Sequence, residues 1–291
     1  MSTPDTHRDR GARGAQRLPR AVAVAMFTIL AACRDSTPIP DIEAALPGPS
    51  AERGLALVSF FKDSLPDHSG NDLRCVSCHL DNGTRPSAMP WSGSVARYPR
   101  FRARPGYEET MERRVNECIA RSLAGRMLPE AGRDMQDIIA YLETMRDVPR
   151  PPAADSVTLV GRSADGAQGY GAQCARCHGA NGDGTVLAPA VWGPGSYSIG
   201  AGMARQFMLA TFLRHNMPYD HKSVLSDQEA ADIAAYVLVQ PRQDHPGKER
   251  DWPKGDPPPD AAYATRGATE AGQPLPPPRP LLPRRIPPDS L

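Results

Sequence analysis

The chain has 291 residues, of which 23% are charged, and its formal net charge at pH 7 is +1. This near-neutral balance excludes general electrostatic steering of anions and gives no reason to expect a nucleic-acid partner, so any preference for an anion must be local. The length favours more than one domain.

The N-terminus has the pattern of a secretory signal. A basic stretch ending at Arg20 precedes the uncharged run AVAVAMFTILAA at 21–32. This run is too short to span a bilayer as a helix, which takes roughly 20 residues, so we expect residues 1–32 to be a cleaved signal peptide. The end of the run, LAAC, resembles a bacterial lipobox. It predicts a lipid on Cys33 and a periplasmic, membrane-anchored protein; the alternative is an ordinary signal with an idle cysteine.

Proline-rich stretches divide the remainder of the chain. Residues 33–52 are predicted to be a tether and 149–157 a linker, because proline ends helices. The last segment, 243–291, is rich in proline and has no apolar periodicity, so we expect a largely disordered tail. Two compact segments remain, 53–148 and 158–242.

Each compact segment contains one C-x-x-C-H motif, which is typical of covalent haem c attachment. The two thiols bond to the porphyrin vinyl groups and the adjacent histidine ligates the iron. A single copy would leave a zinc knuckle or a redox dithiol open, but two copies in an exported chain favour two covalently attached haem c groups. The motif residues are Cys75, Cys78 and His79 in the first segment, and Cys174, Cys177 and His178 in the second.

The pattern around these motifs predicts an all-α fold. Each segment closes with a helical pattern, at 134–145 and 226–239, and the second begins with the capping box Ser226-x-x-Glu229. Tryptophans follow the two haem histidines at comparable distances, and no strand-like alternation of useful length is present. We therefore predict two tandem class I cytochrome c domains, each with one haem.

The sixth ligand of each iron is suggested by spacing. Cys118 and Met217 each follow their haem histidine by 39 residues. Methionine is an ordinary distal ligand, so Cys118 occupies the matching position in the first segment. Met203 and Met208 compete with Met217 for the second iron, and the alternative for Cys118 is a buried, inert thiol.

The neighbours of Cys118 favour chemistry at this position. Arg114, Cys118 and Ser122 are spaced to share one helix face, and an arginine beside a thiol favours the thiolate that ligates iron. Guanidinium groups also match oxyanions, which predicts an anionic substrate. The alternative is that these arginines form an ordinary solvated face. The further arginines of this basic region are Arg100, Arg102, Arg104 and Arg121.

Taken together, several stretches resemble the dihaem thiosulfate dehydrogenases over roughly residues 53–242. They are LRCVSCHLDNGT, PW followed by YPRFRARPG, RVNECIARSLAGRMLP, CARCHG, VWGPGSYSIGAGM, HNMP and LSDQEAADIAAYV. That family couples two thiosulfate ions to tetrathionate and passes two electrons to an acceptor such as a cytochrome, and some members run the reverse reaction.

The resemblance implies roles for individual residues. The active-site haem would be ligated by His79 and Cys118, and the electron-transfer haem by His178 and Met217. The other catalytic residues would be Arg104, Arg114 and Ser122. One departure is Asn216, which stands where some members carry a lysine that exchanges with the distal methionine, so we expect no such exchange.

Two other functions remain open from the sequence. One is the dihaem subunit of a Sox-type sulfur-oxidising complex, which also uses a cysteine-ligated haem. The other is a non-catalytic dihaem electron-transfer protein, in which Cys118 would be idle.

Overall fold

A computed structural model describes residues 48–286. The predicted signal peptide, Cys33 and nearly all of the predicted tether lie outside these residues. From Pro49 onward the described chain forms one compact unit. Between residues 48 and 286 the structure contains no helix with the length and apolar character needed to cross a bilayer.

Six helices of nine to twelve residues dominate the described chain, which confirms the helix-rich class. Both predicted closing helices are present, and the second keeps its capping box between Ser226 and Glu229. The first helix begins at Ala51, so it includes the last two residues of the predicted tether. The helices are α1 (Ala51–Ser59), α2 (Met111–Arg121), α3 (Arg133–Glu143), α4 (Ser163–Gln173), α5 (Gln206–Asn216) and α6 (Asp227–Leu238).

Helix α1 packs against α3, and α4 packs against α6. Each crossing occurs at a glycine. A Cβ at Gly54 would lie 1.9 Å from the Asp137 carbonyl oxygen, and a Cβ at Gly166 would lie 1.9 Å from the Asp232 carbonyl oxygen. The absence of a side chain at these positions therefore allows the two backbones to touch.

The same two aspartates hold the start of the partner helix. Asp137 Oδ1 accepts a hydrogen bond of 2.7 Å from the backbone N–H of Ser50, the N-cap of α1. Asp232 Oδ1 accepts one of 2.7 Å from the N–H of Arg162, the N-cap of α4. Each helix pair is thus fixed by a glycine contact and a buried carboxylate at equivalent positions.

The strands and remaining helices are short. Strand β1 (Arg100–Arg102) pairs antiparallel with β2 (Tyr107–Glu109), and β3 (Arg242–Gln243) pairs parallel with β4 (Leu281–Leu282). Single turns of helix occupy Phe61–Ser64, Pro66–His68, Cys75–Ser77, Leu80–Gly83, Val95–Arg97, Ala175–His178, Gly202–Ala204 and Lys248–Arg250, and a five-residue helix, α7, spans Arg266–Glu270.

The described part of the C-terminal segment, 243–286, is folded, so the prediction of a disordered tail was wrong there. Trp252 and Tyr263 are buried, with 5% and 8% of their surface exposed. Asp251 forms an ion pair with Arg121, and Asp260 forms one with Arg205, the residue before α5. These contacts join residues far apart in sequence, so they leave no periodic pattern that could have predicted them.

Side chains also link the segment 53–148 to 158–242. Asn71 Nδ2 donates to the Ser196 carbonyl oxygen over 2.9 Å, and Ser198 Oγ donates to the Arg121 carbonyl oxygen over 2.7 Å. At the end of the predicted linker, Val157 is buried and its N–H donates to Thr211 Oγ1. Buried polar contacts, as well as the linker, therefore connect the two segments.

Candidate active site

A cavity of about 470 Å³ brings together the first C-x-x-C-H motif and Cys118. Cys75, Cys78 and His79 line it together with Cys118 and Ser122. Its volume lies within the roughly 300–1,000 Å³ typical of ligand and cofactor sites. The spacing argument predicted this meeting of a haem-attachment motif with a lone cysteine.

His79 is held in the form that can ligate a metal. Its Nδ1 lies 2.6 Å from the Met89 carbonyl oxygen. Because a carbonyl only accepts hydrogen bonds, Nδ1 carries the proton and Nε2 keeps its lone pair. Burial lowers the pKa of His79 to about 4, with a smaller contribution from the positive charge of Arg114, so the ring is neutral near pH 7. The ring also stacks on Trp91, with centroids 4.8 Å apart.

The motif cysteines are not joined by a disulfide. All five cysteines between residues 48 and 286 are free. Burial, and the nearby Cys118, raise the pKa of Cys75 and of Cys78 to about 12. Both thiols are therefore protonated near neutral pH and lie within the same cavity as His79.

Helix α2 presents the residues on the other side of the site. Thr110 caps it, with its Oγ1 accepting from the Arg113 N–H, and the run that follows has no glycine or proline to interrupt the helix. Arg114, Cys118 and Ser122 all line the cavity, as their i, i+4, i+8 spacing predicts. The pKa of the Arg114 guanidinium is raised, and its electrostatic interaction with Cys118 is the largest cause.

The cavity wall is strongly basic. Six arginines line it and none of its described lining residues is acidic. Crowding is visible at Arg97, whose pKa is lowered by burial and then by the charges of Arg150 and Arg100. Such a wall favours an anion over a neutral ligand. The six are Arg74, Arg97, Arg100, Arg102, Arg114 and Arg150.

The second C-x-x-C-H motif repeats part of this arrangement. His178 Nδ1 lies 2.7 Å from the Pro189 carbonyl oxygen, so its Nε2 is also unprotonated, and burial lowers its pKa. Trp192 packs against Tyr170 with ring centroids 4.9 Å apart. Burial raises the pKa of Cys174, beside Cys177, to about 11.

The candidate methionine ligands occupy different places. Met217 follows α5 directly and packs against the core. Met203 and Met208, the alternatives for the second iron, line the cavity at Cys118 instead. This placement favours Met217 as the distal residue of the second site.

Comparison with known proteins identifies the family. A family profile described as cytochrome c oxidase, cbb3-type, subunit III matches residues 161–237. The chain is 38% identical over 240 residues to thiosulfate dehydrogenase of Psychrobacter arcticus, covering 78% of this chain and 72% of that protein. It is 39% identical to thiosulfate dehydrogenase of Allochromatium vinosum over 214 residues, covering 67% and 79%. The chain belongs to the thiosulfate dehydrogenase family.

A solved structure agrees with this assignment. Thiosulfate dehydrogenase (TsdBA) from Marichromatium purpuratum in its "as isolated" form matches with a TM-score of 0.64 and 30% identity. The match covers 68% of this chain and 47% of that one, so the chain spans about half of the solved protein. The predicted resemblance is confirmed, and the cytochrome match implies haem c as the cofactor.

The residues present fit haem c. Free thiols at Cys75 and Cys78, a neutral His79 with an available Nε2 and a cavity of cofactor size occur at one place. These are the donor types that hold the group in c-type cytochromes.

Arg104 lies outside the lining of this thiosulfate dehydrogenase cavity, although the resemblance implied an active-site role. Its Nη1 donates to the Gly200 carbonyl oxygen over 2.9 Å, and its guanidinium sits 4.7 Å above the Trp252 ring. Its Nε lies 3.8 Å from Asp251. The folded C-terminal segment therefore draws Arg104 away from the cavity.

The Arg121 guanidinium also forms its ion pairs outside the Cys118 cavity. Its two Nη atoms each donate over 2.8 Å to Asp251, and it also pairs with Glu117. These residues line a separate cavity of about 370 Å³, together with His245. The i+3 position of Arg121 relative to Cys118 thus does not place its guanidinium in the Cys118 cavity.

Asn216, the residue that departs from the lysine-bearing members, is fully buried. Its Nδ2 donates to the carbonyl oxygens of Phe212 and Ser87, and its Oδ1 accepts from Ser87 Oγ over 2.9 Å. The amide therefore connects the residue before Met217 to the loop that holds His79.

Some site residues were not predicted from the sequence. Arg97 ends the single helical turn Val95–Arg97, Arg150 comes from an irregular segment, and Arg74 precedes the first motif. Met203 and Met208 reach the cavity from the other segment. The only available signal was the local enrichment of arginine before α2, which indicated a basic region without identifying these members.

Proposed function

We propose that this chain is a dihaem c-type cytochrome that oxidises two thiosulfate ions to tetrathionate in the cavity at Cys118. The observation that carries the proposal is a single cavity lined by Cys75, Cys78, His79 and Cys118, with six arginines and no described acidic side chain. A redox cofactor site and an anion site coincide there. The names of the relatives supply the substrate.

The residues that would hold the cofactors follow from the two motifs. Cys75 and Cys78 would attach one haem, and His79 and Cys118 would ligate its iron. In the second segment the corresponding residues are Cys174, Cys177, His178 and Met217. Bound haem supplies a one-electron acceptor that can be re-oxidised by an external protein. Two tandem cytochrome c domains, one around each haem, are part of this proposal.

Arg114 and its neighbours bind the substrate. Thiosulfate carries two negative charges, and guanidinium groups can donate two parallel hydrogen bonds to its oxygens. The arginine wall also reduces the repulsion between two thiosulfate ions that must approach each other. Ser122, one turn beyond Cys118, offers a hydroxyl donor on the same face.

Cys118 carries the sulfur chemistry in two steps. In the first, its thiolate forms an S–S bond with the outer sulfur of thiosulfate, giving Cys–S–S–SO₃⁻ and two electrons, of which the two haems would take one each. In the second, another thiosulfate attacks the sulfur bonded to the sulfonate, tetrathionate leaves, and the Cys118 thiolate is restored. The sum is two thiosulfate ions to one tetrathionate ion plus two electrons.

The electrons pass to the His178 and Met217 site and then to an external acceptor, such as a cytochrome. A thiolate ligand on the first haem and a thioether on the second give this direction a basis, because methionine raises the reduction potential of a haem. We also propose an extracytoplasmic location, with a lipid on Cys33 as the membrane anchor.

The test is an assay of the purified full-length protein in both directions. We expect thiosulfate-dependent reduction of ferricyanide by the chain alone, with tetrathionate as the product, and two haems per chain in a pyridine haemochrome spectrum. An electron paramagnetic resonance spectrum of the oxidised protein should contain one low-spin thiolate-ligated haem. Activity only with a sulfur-carrier protein would indicate a Sox-type subunit. No activity and no thiolate signal would leave a non-catalytic electron-transfer protein.

A further inference from the structure

A second group of residues has buried polar atoms without partners. Arg242 is 1% exposed, and its Nη2 donates to the carbonyl oxygens of Val191 and Val237 over 3.1 and 2.7 Å. Its Nε and Nη1 have no hydrogen-bond partner in the described chain. The hydroxyls of Tyr197 and Ser196 are buried and equally unpaired there. We call Arg242, Tyr197 and Ser196 the Arg242 cluster.

The cluster has positive charge that no described carboxylate balances. An arginine side chain stays protonated in proteins, and an isolated buried charge is strongly destabilising. The Arg242 guanidinium lies 4.1 Å above the Tyr197 ring. Only burial and Tyr197 influence its pKa, which burial lowers. A cation–π contact alone does not replace a counter-ion.

A second arginine increases this imbalance. Arg279 donates to the Ala204 carbonyl oxygen, and its pKa is lowered to about 10, first by burial and then by the charge of Arg242. The nearest acid that influences it, Asp260, is already bound by Arg205 and by the Phe207 N–H. The region therefore favours an anion from outside the polypeptide.

The location of the cluster indicates the source of that anion. Val191, which accepts from Arg242, directly precedes Trp192 near the second motif, and Cys78 of the first motif is among the charges that raise the pKa of Tyr197. None of the three cluster residues lines the cavity at Cys118, where a free anion would enter. A covalently attached porphyrin carries its own carboxylates to both motifs, so no anion has to enter from solution.

We propose that Arg242, Tyr197 and Ser196 bind a propionate carboxylate of one of the attached haems. The proposal rests on the dihaem character of the proposed function. A carboxylate has enough lone pairs to accept from Nε, Nη1 and both hydroxyls. The positive charge then stabilises the reduced haem and raises its midpoint potential. Either haem can supply the group, and the titration identifies which one does.

The test is a potentiometric titration of both haems in full-length holoprotein carrying Arg242→Gln, Arg242→Lys or Tyr197→Phe. Arg242→Gln should lower one midpoint, with about a tenfold change in the reduction equilibrium constant, or about 59 mV for one electron. Arg242→Lys keeps the positive charge, so the midpoint potential of that haem should stay close to its wild-type value. Tyr197→Phe should give a smaller shift at the same haem. Arg146→Gln, which removes an exposed arginine paired with Glu143, is the matched control.

The outcomes separate this proposal from the proposed function. Equal midpoints in wild type, Arg242→Gln and Tyr197→Phe, with both haems attached, would overturn the propionate site and leave the thiosulfate chemistry intact. If Arg242→Gln does not mature, Tyr197→Phe decides alone, because it removes one hydroxyl and keeps the ring. Fewer than two haems in the wild-type haemochrome spectrum would contradict the dihaem function itself.

Discussion

The two C-x-x-C-H regions share their supporting structure and differ where an axial ligand would approach. In both, two helices cross at a glycine, a buried aspartate accepts a hydrogen bond from the N-cap residue of the first helix, and a carbonyl oxygen fixes the histidine tautomer. Gly54, Asp137 and His79 correspond to Gly166, Asp232 and His178 in these roles. The support on the histidine side is thus common to both regions.

The two regions differ on the side opposite the histidine. Cys118 lies inside α2, so a helical neighbour, Arg114, faces the same cavity. Met217 follows the last residue of α5 in an extended conformation, with Asn216 before it fully buried. Equal spacing from the histidine therefore corresponds to different local structure. Under the proposed function, one scaffold supports substrate chemistry at the first site and electron transfer at the second, according to what the distal segment presents.

Substitution of Cys118 should have the largest effect on the difference between the two sites. We expect Cys118→Gly to lower kcat for thiosulfate oxidation by at least about 10⁴-fold, because the proposed mechanism makes this residue the nucleophile. Both haems should still attach, since Cys75, Cys78 and His79 are untouched. Cys118→Met, the matched control, should likewise be inactive while raising the midpoint of the first haem. Thiosulfate turnover by either variant would show that Cys118 is not the nucleophile.

The shared scaffold can be tested at the two glycine crossings. Gly54→Ala and Gly166→Ala each put a Cβ 1.9 Å from a carbonyl oxygen, so each should reduce the free energy of unfolding by about 3 kcal/mol. Denaturation followed by circular dichroism measures this. Gly171→Ala is the control in α4, because its Cβ meets nothing within 4 Å and should stabilise by about 0.5–1 kcal/mol. A large loss at only one crossing would mean that the two scaffolds are not equivalent.

The smallest effect distinguishes two arginines that the family resemblance treated alike. Arg114→Gln should lower kcat/KM by about 10- to 100-fold, the cost of losing a charged hydrogen bond to the substrate. Arg104→Gln should leave kcat/KM nearly unchanged and lower the melting temperature, because Arg104 contacts Trp252 and Gly200. Steady-state kinetics and thermal melts of both variants decide. An equal loss of kcat/KM would return Arg104 to the active site.

The sequence predicted the parts of the site that depend on local order. The C-x-x-C-H motifs place two thiols and a histidine within one turn of chain, and helical periodicity places Arg114, Cys118 and Ser122 on one face. Both features are properties of a few consecutive residues. They needed no knowledge of which distant segments pack together, and the structure brings these residues into one cavity.

Contacts between distant segments could not be predicted in this way. Arg104 and Arg121 carry no mark in sequence that Asp251 would bind them, and the proline-rich segment around Trp252 has no periodicity that indicates packing. Met203 and Met208 also reach the Cys118 cavity across the boundary between the segments. In each case the partner is chosen by tertiary structure, which spacing within one segment does not encode.

The folded C-terminal segment has a consequence for the order of assembly. Arg121 and Asp251 are 130 positions apart, and Asp72 and Arg285 are 213 apart. Closing such long loops makes folding slow relative to a chain of local contacts. The helix that carries Cys118 therefore gains its buried ion pair with Asp251 only after residue 251 has been synthesised, and a product that ends before it would leave Arg121 without this bidentate partner.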